Sequence, residues 1–235
     1  MTSPRGQKYI SLMNDKRIVN LHLASAMVAL AFAVLGASVL SAQDRPKPEQ
    51  MFVNDKLEVV VPDFPAQGLI LDIGGGGEGV IAQLKRTQVV AIDLSKRELE
   101  DAPGEPLIKI VMDARDLKFL DGTFSTATVF FTFMYIAPAD HAKVFQELRR
   151  VLKPGGRLLI WDAVFPAKTD PRQTYVLFPL HVKLPAADIN TGYGVKIIEN
   201  QGPDHFAALA QAEGFEVASR KSEKGWFFLE LKKAG

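Results

Sequence analysis

The stretch LDIGGGGEGV, residues 71–80, decides how this chain is read. Two apolar residues, Leu71 and Ile73, flank an acid, Asp72, and then four glycines follow in a row. Glycine inside regular structure costs roughly 0.5–1 kcal/mol, so four together require a reason. One reason is a turn. The other is a close approach to the backbone that any side chain would prevent. The apolar run before the glycines reads as a short buried strand, and a helix is expected to open near Glu78. Gly74, Gly76 and Gly79 then fit G-x-G-x-x-G between a strand and a helix. About twenty residues on, VVAID (89–93) is a second apolar strand that ends on an acid, Asp93.

The rest of the chain repeats this alternation. LIKIVMD (107–113), FSTATVFFTFMYI (124–136) and RLLIWDAVF (157–165) read as three more strands. Between the last two, Val144, Phe145, Leu148, Val151 and Leu152 recur at helical spacing, and Pro154-Gly155-Gly156 stops the helix. Apolar strands alternating with helices imply an α/β fold: a Rossmann-like, mostly parallel sheet with helices on both faces. The tail differs. HFAALAQAEGFEVASRKSEKGWFFLELKK (205–233) gives a helix and then two strands around a tight turn at Lys224-Gly225, hence an antiparallel C-terminal pair.

Ahead of this domain the composition changes. Residues 1–17 are basic, with Arg5, Lys8, Lys16 and Arg17. Residues 18–40, IVNLHLASAMVALAFAVLGASVL, are apolar and close to the ~20 residues that span a bilayer. Small residues follow to position 42, the layout of a signal peptide or membrane anchor. Residues 43–50 form a polar, proline-containing linker, and 51–235 the main domain, with an insert or lid over about 166–200. Membrane association through residues 18–40 is therefore expected. The charge bias favours export of the domain, and a domain kept on the cytoplasmic side is the second arrangement. The second arrangement is preferred, and export after cleavage is the alternative.

Bulk composition limits the chemistry. The 235 residues carry a net charge of +1, which gives no sign of a nucleic-acid surface. There are no cysteines, so disulfides, thiolate metal sites and cysteine nucleophiles are excluded. His22, His141, His181 and His205 show no metal-ligand spacing, and no metal is expected.

In parallel α/β sheets, ligands sit beyond the carboxyl ends of the strands, where the glycine run lies. An acid at Asp93 can accept hydrogen bonds from ribose hydroxyls, which points to a nucleoside-type ligand and leaves NAD open. Charge separates the candidates. Asp72 and Glu78 flank the glycines, and two carboxylates repel a pyrophosphate but suit a ligand bearing an ammonium and a sulfonium.

At these residues the chain resembles the class I S-adenosylmethionine-dependent methyltransferases, over roughly Leu69 to Leu231. LDIGGGG resembles the family's glycine loop, AIDLS its second-strand segment, MDARDLKFLDGTFSTATV its third-to-fourth-strand stretch, and FQELRRVLKPGGRLLI its helix–turn–fifth-strand signature. The resemblance implies S-adenosylmethionine (SAM) as cofactor. It implies contacts from Asp72, Gly74, Gly75 and Gly76 in the loop, and from Asp93 and the following Leu94 at the ribose. Asp113 would face the adenine amino group and Ala114 the ring edge. Three positions depart from the pattern. Glu78 stands where a third glycine is frequent, Ser125 where the fourth strand usually opens with aspartate, and Met134 where many small-molecule members carry histidine.

The implied activity is methyl transfer to a small-molecule acceptor by in-line displacement. Positioning and exclusion of water do most of the work, because the leaving sulfur departs neutral. Where the acceptor must lose a proton, the candidate catalytic groups are Tyr135, Asp162 and His181, with Tyr193 nearby. The alternatives are a non-catalytic, membrane-tethered SAM-binding module and an NAD-dependent oxidoreductase.

Overall fold

The computed structural model describes residues 46–167, 170–198 and 201–235. The basic region, the apolar stretch 18–40 and most of the linker lie outside the described residues. Among the described residues, no helix is long and apolar enough to cross a membrane.

The strand–glycine–helix unit comprises β3 (Ile70–Ile73), α1 (Val80–Lys85) and β4 (Val89–Asp93), following β1 (Met51–Val53) and β2 (Leu57–Val60). All four residues of β3 are buried, as expected for a strand covered on both faces. α1 opens at Val80, two residues after Glu78. Gly79 precedes it in the left-handed region, at φ 52°, and any Cβ there would meet the Pro103 carbonyl oxygen at 2.4 Å. After α2 (Lys96–Asp101), β5 (Ile108–Val111) is shorter than the apolar run suggests. It lies at the sheet edge, with Ile108 and Val111 exposed.

β6 (Phe124–Phe130) ends earlier than its apolar run, because Phe131 turns to φ 47° and the chain enters a 3-10 turn at Phe133–Tyr135. α3 (His141–Val151) and β7 (Leu152–Ala163) follow. The chain continues with the hairpin of β8 (Tyr175–Leu184) and β9 (Ala187–Lys196), then α4 (Pro203–Ala212), β10 (Phe215–Glu223) and β11 (Trp226–Lys233). The large sheet runs in the order β10-β11-β7-β6-β3-β4-β5. Its strands β5, β4, β3, β6 and β7 are parallel, and β11 pairs antiparallel with both β7 and β10.

The insert at 166–200 is more than a lid. β8 pairs parallel with β1 and β2 and antiparallel with β9, making a second sheet from two segments more than a hundred residues apart. Val176, Phe178, Leu180 and Val182 of β8 share a core with Leu57, Val59, Trp161 and Trp226. This sheet, together with α1, covers one face of the large sheet. The other face carries α3 and α4, whose Phe145, Leu148 and Phe206 pack with Phe124 and Phe227. Helices therefore lie on both faces, α1 and α2 on one and α3 and α4 on the other, with the small sheet as an added layer beside α1 and α2. β1 and β2 are too short to signal themselves by periodicity.

Candidate functional site

A cavity of about 690 Å³ opens at the carboxyl ends of β3, β4 and β6, within the ~300–1,000 Å³ typical of small-molecule sites. Gly74, Gly76, Asp93, Leu94, Asp113 and Ala114 all line it. Asp72 and Gly75 do not. Asp72 is 3% exposed inside β3, and its Oδ1 accepts a 2.7 Å hydrogen bond from Thr128 Oγ1. Gly75 is bare because Ala91 Cβ and Asp72 Oδ2 each lie 2.8 Å from where its Cβ would be.

The glycines therefore answer first to the protein itself. At Gly74, φ is 71° and a Cβ would fall 2.2 Å from Thr132 Oγ1. At Gly76 it would fall 2.7 Å from Glu98 Cβ and 2.9 Å from Asp93 Oδ2. Neighbouring strands and α2 crowd against the loop, and the space left over is the cavity. The expectation that bareness serves the ligand directly is corrected to this extent.

Acids cluster around the loop. Asp93 Oδ1 accepts from the Ser95 backbone N–H at 2.8 Å, yet burial pushes its carboxyl above the usual range. Glu98, an unremarked charged residue in the sequence pattern, also lines the cavity. Burial and the charges of Asp93 and Glu78 raise it in turn. Carboxylates that destabilise one another favour hydroxyl donors and cations, whose arrival relieves the repulsion. The donor set thus fits a cofactor with ribose hydroxyls and positive charge. Further along, Arg115 holds Asp113 at 2.7 Å and Asp140 at 2.8 Å, and the guanidinium keeps the Asp113 carboxyl below its ordinary value.

Of the expected catalytic groups, Tyr135 lines the cavity, whereas Asp162 and His181 are separated from it. Asp162 is fully buried. Its Oδ2 accepts from Phe133 N and its Oδ1 from Ala163 N, both at 2.8 Å, so it anchors the turn that presents Tyr135. His181 stands on the small sheet, with Nδ1 2.9 Å from Glu58 Oε2 and Nε2 3.3 Å from Asp188 Oδ1. Neither side chain borders the cavity: Asp162 is occupied by backbone N–H groups and His181 by the carboxylates of Glu58 and Asp188. Two other histidines do meet: His141 Nδ1 lies 3.1 Å from His205 Nε2, and His141 Nε2 donates to the Ile136 carbonyl at 3.0 Å. Among the described residues, no group of three or more His, Cys, Asp or Glu gathers for a metal.

The far wall is aromatic and comes partly from the insert. Phe131 and Tyr193 face each other at 5.7 Å, and Gly192, Tyr193 and Gly194 of β9 border the cavity beside Tyr135 and Ile136. Tyr193 Oη donates to Glu78 Oε2 at 2.7 Å, and Thr191 Oγ1 donates to Glu78 Oε1. Glu78, the departure from a third glycine, therefore ties the loop to the insert.

The methyltransferase-domain family matches residues 71–160, which includes the glycine loop, Asp93, Asp113 and the fifth-strand signature. The demethylmenaquinone methyltransferase of Thermotoga maritima is 30% identical over 167 residues, spanning 63% of this chain and 70% of that protein. The chain belongs to the class I S-adenosylmethionine-dependent methyltransferases. The ubiquinone/menaquinone biosynthesis C-methyltransferase UbiE of Desulfotalea psychrophila is 36% identical over 112 residues, 44% of this chain and 45% of that protein. The chain thus spans less than half the length of that relative. Among solved structures, a SAM-dependent methyltransferase from Methanosarcina mazei has a TM-score of 0.50 at 17% identity, covering 73% of this chain and 94% of that one. At that identity the likeness concerns the fold alone. SAM is the methyl donor of this methyltransferase family, and the nicotinamide alternative falls away.

The buried acids of this methyltransferase make its stability pH-dependent. Burial pushes both Asp72 and Asp162 up to about 7. Between the ordinary carboxylate range near 4 and about pH 7, the folded state binds protons that the unfolded chain has released, so stability falls as pH rises through that window. The melting temperature is expected to be higher at pH 5 than at pH 8. Asp72→Asn, which keeps an acceptor for Thr128, should flatten the slope. A melting temperature that does not change between these pH values in the wild type would refute the assignment.

Proposed function

We propose that this methyltransferase moves a methyl group from SAM to carbon on a small, planar, quinone-type acceptor in its hydroxylated, reduced form. The observation that carries this reading is the two-ended cavity. One end gathers Asp93 and Glu98 beside the glycine loop. The other is walled by Phe131, Tyr135 and Tyr193, where a flat apolar ring can stack. The names of the relatives from Thermotoga and Desulfotalea support the acceptor class.

In this reading Asp93 holds the ribose, Ile92, Met112 and Ala114 border the base, and Gly74 and Gly76 leave room for the methionine portion. When bound, SAM supplies an electrophilic methyl on a positively charged sulfur. The chain orients the acceptor and excludes water, contributions worth several kcal/mol in such reactions. Tyr193 gives its proton to Glu78, and the half-exposed Tyr135, a phenol that is protonated at neutral pH, is placed to donate to the acceptor.

The test uses the full chain in detergent with labelled SAM and a short-chain demethylmenaquinol. Label is expected to appear in a product heavier by one methyl group, and S-adenosylhomocysteine should raise the melting temperature while NAD does not. Transfer to acceptors lacking a hydroxylated ring, with none to the quinol, would reject the acceptor class.

A further inference from the structure

Methylating a hydroxylated ring at carbon becomes easier when the hydroxyl gives up its proton, so the acceptor end of the cavity calls for a base. Asp162 and His181 do not border the cavity, and the phenols of Tyr135 and Tyr193 are ordinarily protonated at neutral pH, that of Tyr193 already donating to Glu78. Asp113 and Asp140 are committed to Arg115. Asp93 and Glu98 stand at the loop end, beside Gly76. Glu78 is what remains, and it stands next to the aromatic wall, bound to Tyr193 and Thr191. A carboxylate has about four lone-pair sites. One hydroxyl on each oxygen fixes the side chain and leaves acceptor capacity free.

We propose that Glu78 is the general base of the reaction, held in place by Thr191 and Tyr193 and acting on a ring hydroxyl of the acceptor. The inference rests on the quinone-type reading above. The hydroxyl proton passes to Glu78 while the O–H bonding pair moves into the ring. The ring carbon's electron pair forms the new C–C bond, and the S–C bonding pair stays on sulfur, which becomes neutral. The hydrogen on that carbon then leaves as a proton to water at the cavity mouth, its C–H pair restores the aromatic ring, the C=O π pair returns to oxygen, and that oxygen takes back the proton from Glu78, which frees the base. A glycine, frequent here in the family resemblance, offers no such group. This chain thus places its base on the cofactor loop, where cofactor and insert are brought into register together.

The experiment compares the full-length wild type, E78Q and E78D. Its probes are S-adenosylhomocysteine, 1,4-naphthalenediol, and a chlorinated, more acidic naphthalenediol. Calorimetry should find that E78Q binds S-adenosylhomocysteine, and the diol in its presence, within about threefold of wild type, while kcat falls about 10²–10⁴-fold. That loss should shrink with the more acidic diol, and E78D should recover at least about tenfold over E78Q. E78Q retaining kcat within about threefold would overturn the role, as would an equal loss with both diols or a loss of diol binding, either of which marks a purely structural tie. If E78Q does not fold, E78D decides alone: unchanged binding with kcat reduced less for the acidic diol supports the base, and an equal loss overturns it. Wild type that binds S-adenosylhomocysteine but neither binds nor methylates either diol would instead reject the acceptor reading, and this proposal with it.

Discussion

Gly74→Val is expected to leave no stably folded protein. The new Cβ would sit 2.2 Å from Thr132 Oγ1 and 2.6 Å from Thr132 Cγ2, far inside contact distance. Thr132 cannot easily move aside, because its one hydroxyl proton is shared between the Phe130 carbonyl at 3.0 Å and the Ile73 carbonyl at 3.2 Å. The backbone at Gly74 also has φ 71°, which a β-branched residue adopts only with strain. Overpacking and backbone strain at one partly buried position together place the loss above about 4 kcal/mol, in the range where a domain of ordinary stability unfolds. Circular dichroism melting of the variant beside the wild type reads this directly. A variant that melts cooperatively near the wild-type temperature would show that the loop has slack which the geometry denies.

Asp93→Ala should leave the fold intact and weaken binding of S-adenosylhomocysteine by about 1–3 kcal/mol, or roughly 5- to 150-fold, the scale for losing hydrogen bonds to a charged group. The residue ends β4 at the cavity, partly exposed, and its removal relieves the repulsion that raises Glu98. Stability should therefore hold or rise slightly while affinity falls. Isothermal titration measures the affinity, and a folded variant with wild-type affinity would remove Asp93 from the cofactor end.

Local patterning made a large part of this protein legible. The apolar runs at 70–73 and 89–93, the glycines between them, the amphipathic helix at 141–151 and the turn at Lys224-Gly225 all appear where the sequence places them. Each is set by residues close together in the chain: the period of the apolar positions, the breakers that end them, and the acid at a strand end. Gly74, Gly76 and Asp93, marked by the glycine spacing and the strand-end acid, border the cavity, as do Asp113 and Ala114, which the family resemblance implies.

Tertiary structure decided what depends on distant partners. Sequence marked Asp162 and His181 by residue type, but only the packing shows Asp162 turned to the backbone of Phe133 and His181 caught between Glu58 and Asp188. β1 and β2 are too short to carry a period, and they become strands only because β8 supplies their hydrogen bonds from more than a hundred residues away. Glu98 and Glu78 are ordinary charged residues in the sequence. The fold sets Glu98 beside Asp93 and brings Thr191 and Tyr193 across 113 and 115 residues to Glu78. The sequence by itself thus determined the parallel sheet and the glycine loop, because these rest on local periodicity and spacing, and its motifs carried the family resemblance. The aromatic wall, the second sheet and the environment of Glu78 were left to the folded chain, because burial and pairing between remote segments leave no period in the sequence.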